Sequence, residues 1–165
     1  MKHDSAPWMR DAVTREGVTR IVADAVEKLR DLNFDTIAFR GMSGALIAPI
    51  IAHQLGKEIA MIRKEGVTTH SVCSYEGYKE VKRYVIVDDF VSTGDTIAKI
   101  MEAMRRHNGS GIKLAAVYTY YGIWSSKAGL HIPGVSESTI IFDYPPVKEE
   151  LKKECSLDQE LMDLL

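Results

Sequence analysis

Between Arg83 and Ile100 the chain reads RYVIVDDFVSTGDTIAKI: an apolar run, two adjacent carboxylates, a turn of small residues, then a helix-like pattern. Few folds accommodate that order. An apolar run without alternation is a strand buried on both faces, so helices must cover both sides of its sheet. Asp88 and Asp89 then leave the strand at its carboxyl end, where open α/β sheets gather their ligands.

The flanking sequence alternates in the same way. From Thr14 to Leu32, Val18, Ile21, Val22, Ala25, Val26 and Leu29 recur at three- and four-residue steps, the stripe of a helix with one buried face. DTIAF reads as a first strand, RGMSG as a turn, and ALIAPIIAHQL as an apolar helix ended by Gly56. EIAMIR is a second strand. The polar stretch from Lys64 to Lys82 reads as a long loop, a length typical of lids and binding segments. RYVIVD is the third strand, DTIAKIMEAMRRH a helix closed by NGSG, and IKLAAVYTY the fourth strand. Aromatics, glycines and prolines take over from Gly122 to Pro146, and the tail from Val147 reads as an amphipathic helix. The expected architecture is α/β: a parallel sheet with helices on both faces.

Size and charge exclude several alternatives. With 165 residues, 45% of them hydrophobic, the chain suits one domain with a full core. Its 21 basic and 23 acidic side chains leave a formal charge of −2, which gives no overall footprint for nucleic acid or an anionic membrane. Cys73 and Cys155 form no CxxC or Cys/His cluster. No run approaches the roughly 20 apolar residues of a membrane span, and MKHDSAPWMRDAV has no apolar stretch of signal-peptide type. A cytoplasmic protein with reduced thiols is expected.

The turn after the carboxylates suggests a ligand. Ser92, Thr93, Gly94 and Thr96 offer hydroxyls and converging N–H groups at a helix N-terminus, which suits a phosphate. The carboxylates would accept hydrogen bonds from hydroxyls beside it, so a phosphorylated sugar fits both halves. Taken alone, the residues equally allow Asp88 as a strand cap, Asp89 facing solvent and Thr93, Gly94 and Thr96 as a plain helix cap. No GxxxxGK[ST] or GxGxxG turn occurs in the chain.

VIVDDFVSTGDTI resembles, over thirteen consecutive positions, the phosphoribosylpyrophosphate (PRPP) signature of type I phosphoribosyltransferases. The resemblance extends over about residues 34 to 120 and implies that family's fold: the parallel sheet with a small hood built from the flanks, here about 121–146, in a single domain of residues 1–165 with its core at about 14–120. It implies that Asp88 and Asp89 hold the ribose hydroxyls and, through the substrate, a Mg2+ ion. Phe90, Val91, Ser92, Thr93, Gly94, Asp95 and Thr96 would wrap the 5-phosphate. AFRGMSGA resembles the family's diphosphate loop, often with a non-proline cis peptide, which implies that Arg40 and Gly41 face the leaving group. MIRKEG resembles the Arg-Lys pair of adenine-type members and CSYEGY the Ser-Tyr of a mobile loop. Arg63, Lys64, Ser74 and Tyr75 are thereby implied as catalytic: the first two as cationic donors to the diphosphate, the last two as a lid excluding water.

The implied reaction transfers 5-phosphoribosyl from PRPP to a nucleobase and releases pyrophosphate, with Mg2+ orienting the leaving group. Where hypoxanthine/guanine enzymes carry an aspartate before T-G, this chain has Ser92, a poor general base at neutral pH. That favours an adenine-like or orotate-like relative, although IIFDYPPV resembles the hood of xanthine-type enzymes. Trp124, Phe142 and Tyr144 are the available stacking faces and Asp143 an acceptor for a base N–H, with core or dimer packing an equal alternative. The family resemblance also implies a homodimer. Two other readings remain: a non-catalytic PRPP-binding regulator, and a general sugar-phosphate binding domain.

Overall fold

The structure is a computed structural model that describes residues 7–64, 73–123, 135 and 140–143. Two short 3-10 turns, Pro7–Met9 and Asp11–Val13, lead into α1 (Arg15–Leu29). The Thr14 side chain caps α1 by accepting a hydrogen bond from the Gly17 amide at 3.1 Å. Then follow β1 (Thr36–Arg40), α2 (Gly41–Leu55), β2 (Glu58–Ile62), β3 (Tyr75–Gly77), β4 (Arg83–Val91), α3 (Asp95–Asn108), β5 (Lys113–Ile123) and β6 (Ile140–Asp143).

The strands form one sheet in the order β3-β2-β1-β4-β5-β6, parallel throughout except for antiparallel β3 at one edge. Along β4, Val85 and Val87 point into one core and Tyr84 and Ile86 into the other, the two-residue period of a pleated strand. Ile21 and Leu29 of α1 and Ile47 and Ile51 of α2 pack on the first face. Ile97, Ile100, Met101 and Met104 of α3 pack on the second. Each such side chain, fully withdrawn from water, contributes about 1.5–3 kcal/mol. The expected α/β sheet covered on both faces is therefore the fold.

Four local expectations are corrected. RGMSG is not a separate turn: α2 begins at Gly41, directly after β1, because a single residue at φ 75° reverses the chain and only glycine takes that angle cheaply. The third core strand does not end at Asp88 but runs to Val91, with an irregularity between Asp88 and Phe90 where it pairs with β5. The stretch from Lys64 to Lys82 contains β3, whose backbone adds to the edge of β2. The region after Gly122 contains β6, paired in parallel with β5. Every described peptide bond is trans, including the one at Gly41. The expected tail helix lies outside the described residues.

This order places a topological switch point between β1 and β4, since the chain leaves β1 towards β2 on one side and reaches β4 on the other. Pairing of β1 with β4 runs as far as Ala38–Ile86. Arg40 and Asp88 lie two residues beyond that last pair, at the carboxyl ends where such sheets open a crevice.

Candidate functional site

A cavity of about 170 Å3 occupies that crevice, lined by Arg40, Ser43, Lys64, Asp88, Asp89 and the stretch from Phe90 to Ile97. It therefore brings together Arg40, Lys64, both carboxylates and each of Phe90, Val91, Ser92, Thr93, Gly94, Asp95 and Thr96. Gly41 borders it: a Cβ there would stand 2.8 Å from Cε and 3.3 Å from Nζ of Lys64. The glycine lets the lysine lie across the first turn of α2.

Two helix N-termini face this cavity, and neither cap residue bonds its own helix's amides. Arg40 precedes α2 and Gly94, at φ 83°, precedes α3, both without a side-chain cap bond. A long 3.3 Å bond from the Asp95 amide to Thr93 Oγ1 satisfies part of the α3 turn. α1 carries the Thr14 cap instead. Uncapped first-turn amides are the groups that bind anions at helix ends.

Between the two N-termini sit Asp88 and Asp89, 4% and 9% exposed. The Asp89 amide donates to Asp88 Oδ1 at 3.0 Å, the Phe90 amide to Asp89 Oδ1 at 2.8 Å, and Ser43 Oγ to Asp88 Oδ1 at 3.2 Å. These bonds do not offset the loss of water. Burial, reinforced by the neighbouring Asp89, pushes the Asp88 carboxyl up to about 7, and burial raises Asp89 as well. The pair is a site of unneutralised negative charge that hydroxyl donors or a cation would relieve. Two hard oxygen donors suit Mg2+, which takes its other ligands from water and substrate. Among the described residues no group of three or more His, Cys, Asp or Glu forms a metal cage.

Ser43 was not singled out in the sequence; its signal is only a hydroxyl two residues after Gly41. Tyr120 OH donates to the Ser43 carbonyl at 3.2 Å. Its phenol, 2% exposed, is pushed well above its usual range by burial and then by the charges of Asp89 and Asp88. A second unexpected group is aromatic. Trp8 stands edge-on to Phe90 with ring centroids 5.8 Å apart, and Phe90 edge-on to Tyr121 at 6.3 Å. The N-terminal turn thus contributes a ring beside the cavity.

The remaining expected residues are placed elsewhere. Arg63 forms an ion pair with Glu76 of β3, Nε and Nη2 lying 3.2 and 2.9 Å from Oε1. Tyr75 is 8% exposed in the α3-side core, stacked on His107 at 4.8 Å, with its OH bonded to the Tyr78 carbonyl and to Asn108 Nδ2. Ser74 Oγ lies 3.4 Å from His107 Nε2. Neither Ser74 nor Tyr75 lines the cavity at the carboxylates, because pairing of β3 with β2 holds them at the far end of α3. Phe142 and Asp143 fall on β6, opposite Tyr118 and Thr119 of β5. Asp143 therefore shares a register row with Thr119 and Asp88, two strands from the latter, about 10 Å away. Trp124 and Tyr144 lie outside the described residues.

Fold and cavity together define a doubly wound α/β domain with a cavity lined by two buried carboxylates and a helix N-terminal turn at its switch point. The phosphoribosyl transferase domain family matches residues 10–127, and the chain belongs to that family. Orotate phosphoribosyltransferase of Sulfolobus acidocaldarius is 27% identical over 75% of this chain and 74% of its own length. Adenine phosphoribosyltransferase of Pseudomonas putida is 31% identical over 59% of this chain and 63% of its own. Transcriptional regulator GfcR of Methanocaldococcus jannaschii is 32% identical over 53% of this chain and 44% of its own. Among solved structures, UMP synthase of Leishmania donovani superposes with a TM-score of 0.56 at 26% identity, covering 68% of this chain and 24% of that one. No described helix is long and apolar enough to cross a membrane.

Proposed function

We propose that the chain transfers 5-phosphoribosyl from PRPP to a ring nitrogen of a nucleobase and releases pyrophosphate. The observation that carries this reading is the buried carboxylate pair set between two uncapped helix N-termini in one cavity. The α3 turn would take the 5-phosphate, Asp88 and Asp89 the ribose hydroxyls, and the first turn of α2 with Arg40 and Lys64 the diphosphate. Arg40 Nε is buried with no acceptor among the described residues, a group that an anionic ligand would satisfy. Negative charge at Asp88 and Asp89 would favour the oxocarbenium character that develops on the sugar. Mg2+, held through the substrate and these carboxylates, would neutralise the diphosphate.

Ser74 and Tyr75 would serve as a lid only after leaving the α3 end, which costs the Tyr75 stack and its hydrogen bonds. Trp8, with Phe90, is added to Trp124, Phe142, Tyr144 and Asp143 as a candidate for meeting the base. Ser92 in place of an acid favours adenine or orotate over a 6-oxopurine. A homodimer is expected in the cytoplasm, and exposed Met42 and Ile50 on α2 offer apolar surface for it.

Similarity to a transcriptional regulator supports a second reading, a PRPP-binding regulator without turnover. Incubation with PRPP, Mg2+ and each of adenine, guanine, hypoxanthine, xanthine, orotate and uracil separates the two. Pyrophosphate release with adenine or orotate is expected; tight PRPP binding with no release for any base favours the regulator.

A further inference from the structure

A second cavity, of about 120 Å3, adjoins the first through Arg40, which lines both. Its other polar walls are Arg63 and Ser74 beside the β2–β3 pair and Lys99, Glu102 and Arg106 of α3. The three α3 residues recur at three- and four-residue steps, so one face of the helix turns towards the cleft. Two of the four cations are paired: Arg63 with Glu76 and Arg106 with Glu102. Lys99 and Arg40 have no carboxylate partner among the described residues. Among the described residues the cleft therefore carries a surplus of two positive charges, and the buried Arg40 Nε–H has no acceptor there.

We propose that this cleft is a second anion site, and that its ligand is inorganic pyrophosphate on its way out of the first cavity. The proposal rests on the transfer reaction above. Charge surplus calls for a compact anion of two or more charges. Among the described residues no aromatic side chain lines the cleft, so none of them stacks a base there, which argues against a nucleotide. Because Arg40 belongs to both cavities, a leaving diphosphate can pass between them without losing its guanidinium partner. Glu102 limits affinity by competing for Arg106, as a site for product release requires.

Calorimetric titration of the full chain with magnesium pyrophosphate and, separately, with PRPP tests this. In Lys99→Ala/Arg106→Ala, both exposed positions on α3, pyrophosphate binding is expected to weaken tenfold or more while PRPP affinity stays within twofold. In Glu102→Gln pyrophosphate should bind about two- to fivefold tighter, which a merely structural role would not produce. Unchanged pyrophosphate titrations in both variants, or PRPP affinity lost in the same proportion, would overturn the proposal. If the wild-type chain fails to bind PRPP, the transfer reaction falls, and the cleft is judged on pyrophosphate alone.

Discussion

At its first turn α3 starts from Gly94 at φ 83°, without a cap bond from that residue, beside two buried carboxylates. At its last turn the basic residues Arg105, Arg106 and His107 complement the helix dipole, and Asn108 Nδ2 bonds both the Met104 carbonyl and Tyr75 OH. Tyr75 closes that end by stacking on His107. The last turn meets most of its groups locally, with Asn108 Oδ1 left as a buried acceptor without a donor among the described residues; the first turn leaves amides and two carboxylates waiting for a partner. A chain tolerates such unmet groups where a ligand will meet them, so the contrast marks the functional end of the helix without reference to any relative.

The contrast can be broken from either side. Tyr75→Ala should produce the largest change, a loss of about 3 kcal/mol in stability from emptying a core site, read by denaturant unfolding. PRPP affinity should then stay within about threefold, and a parallel collapse of binding would mean that the two ends are not separable. Gly41→Val should do the reverse. A valine side chain there would meet Lys64 and push it from the cavity, expected as a loss of about thirtyfold in PRPP affinity by calorimetry, while the strain at φ 75° lowers stability by only about 1 kcal/mol.

Asp88→Asn tests the electrostatic half. The folded carboxyl titrates near 7, above its ordinary 3.8, so ionisation opposes folding. That penalty is absent below about pH 4, grows as pH rises through the window from 4 to 7, and is complete above it. The variant lacks it, so its melting temperature should exceed that of the wild type at pH 8, and the difference should vanish towards pH 4. Ser43→Ala should have the smallest effect. Loss of one hydrogen bond to Asp88 is worth about 1 kcal/mol, a fivefold or smaller loss of PRPP affinity.

Much of this was legible in the sequence, for physical reasons that differ by segment. The run Val85, Ile86, Val87 has no alternation because both faces of β4 are covered, and that pattern is local. Gly41 and Gly94 announce turns because positive φ excludes most other residues. β3 was not legible: Tyr75–Gly77 is too short to show periodicity, and its strand character comes from the free edge of β2. β6 likewise depends on β5, a partner distant in sequence. Continuation of β4 through Asp88 and Asp89 was missed because two acids read as a strand end, whereas ligand sites are where such acids are kept in the pleat. Ser43 reaches the cavity, and Trp8 the Phe90 ring at its wall, through tertiary packing alone, with no spacing signal towards Asp88 or Phe90.

If the acid pair at the end of β4 holds the ribose of PRPP, removing its charge should abolish PRPP binding while the fold survives. PRPP with Mg2+ is titrated calorimetrically into the wild-type chain and into Asp88→Asn/Asp89→Asn, with circular dichroism confirming that the variant is folded. Binding of one PRPP per wild-type chain, weakened at least a hundredfold in the variant, is the expected result. Equal affinity for PRPP in the folded variant would contradict the assignment.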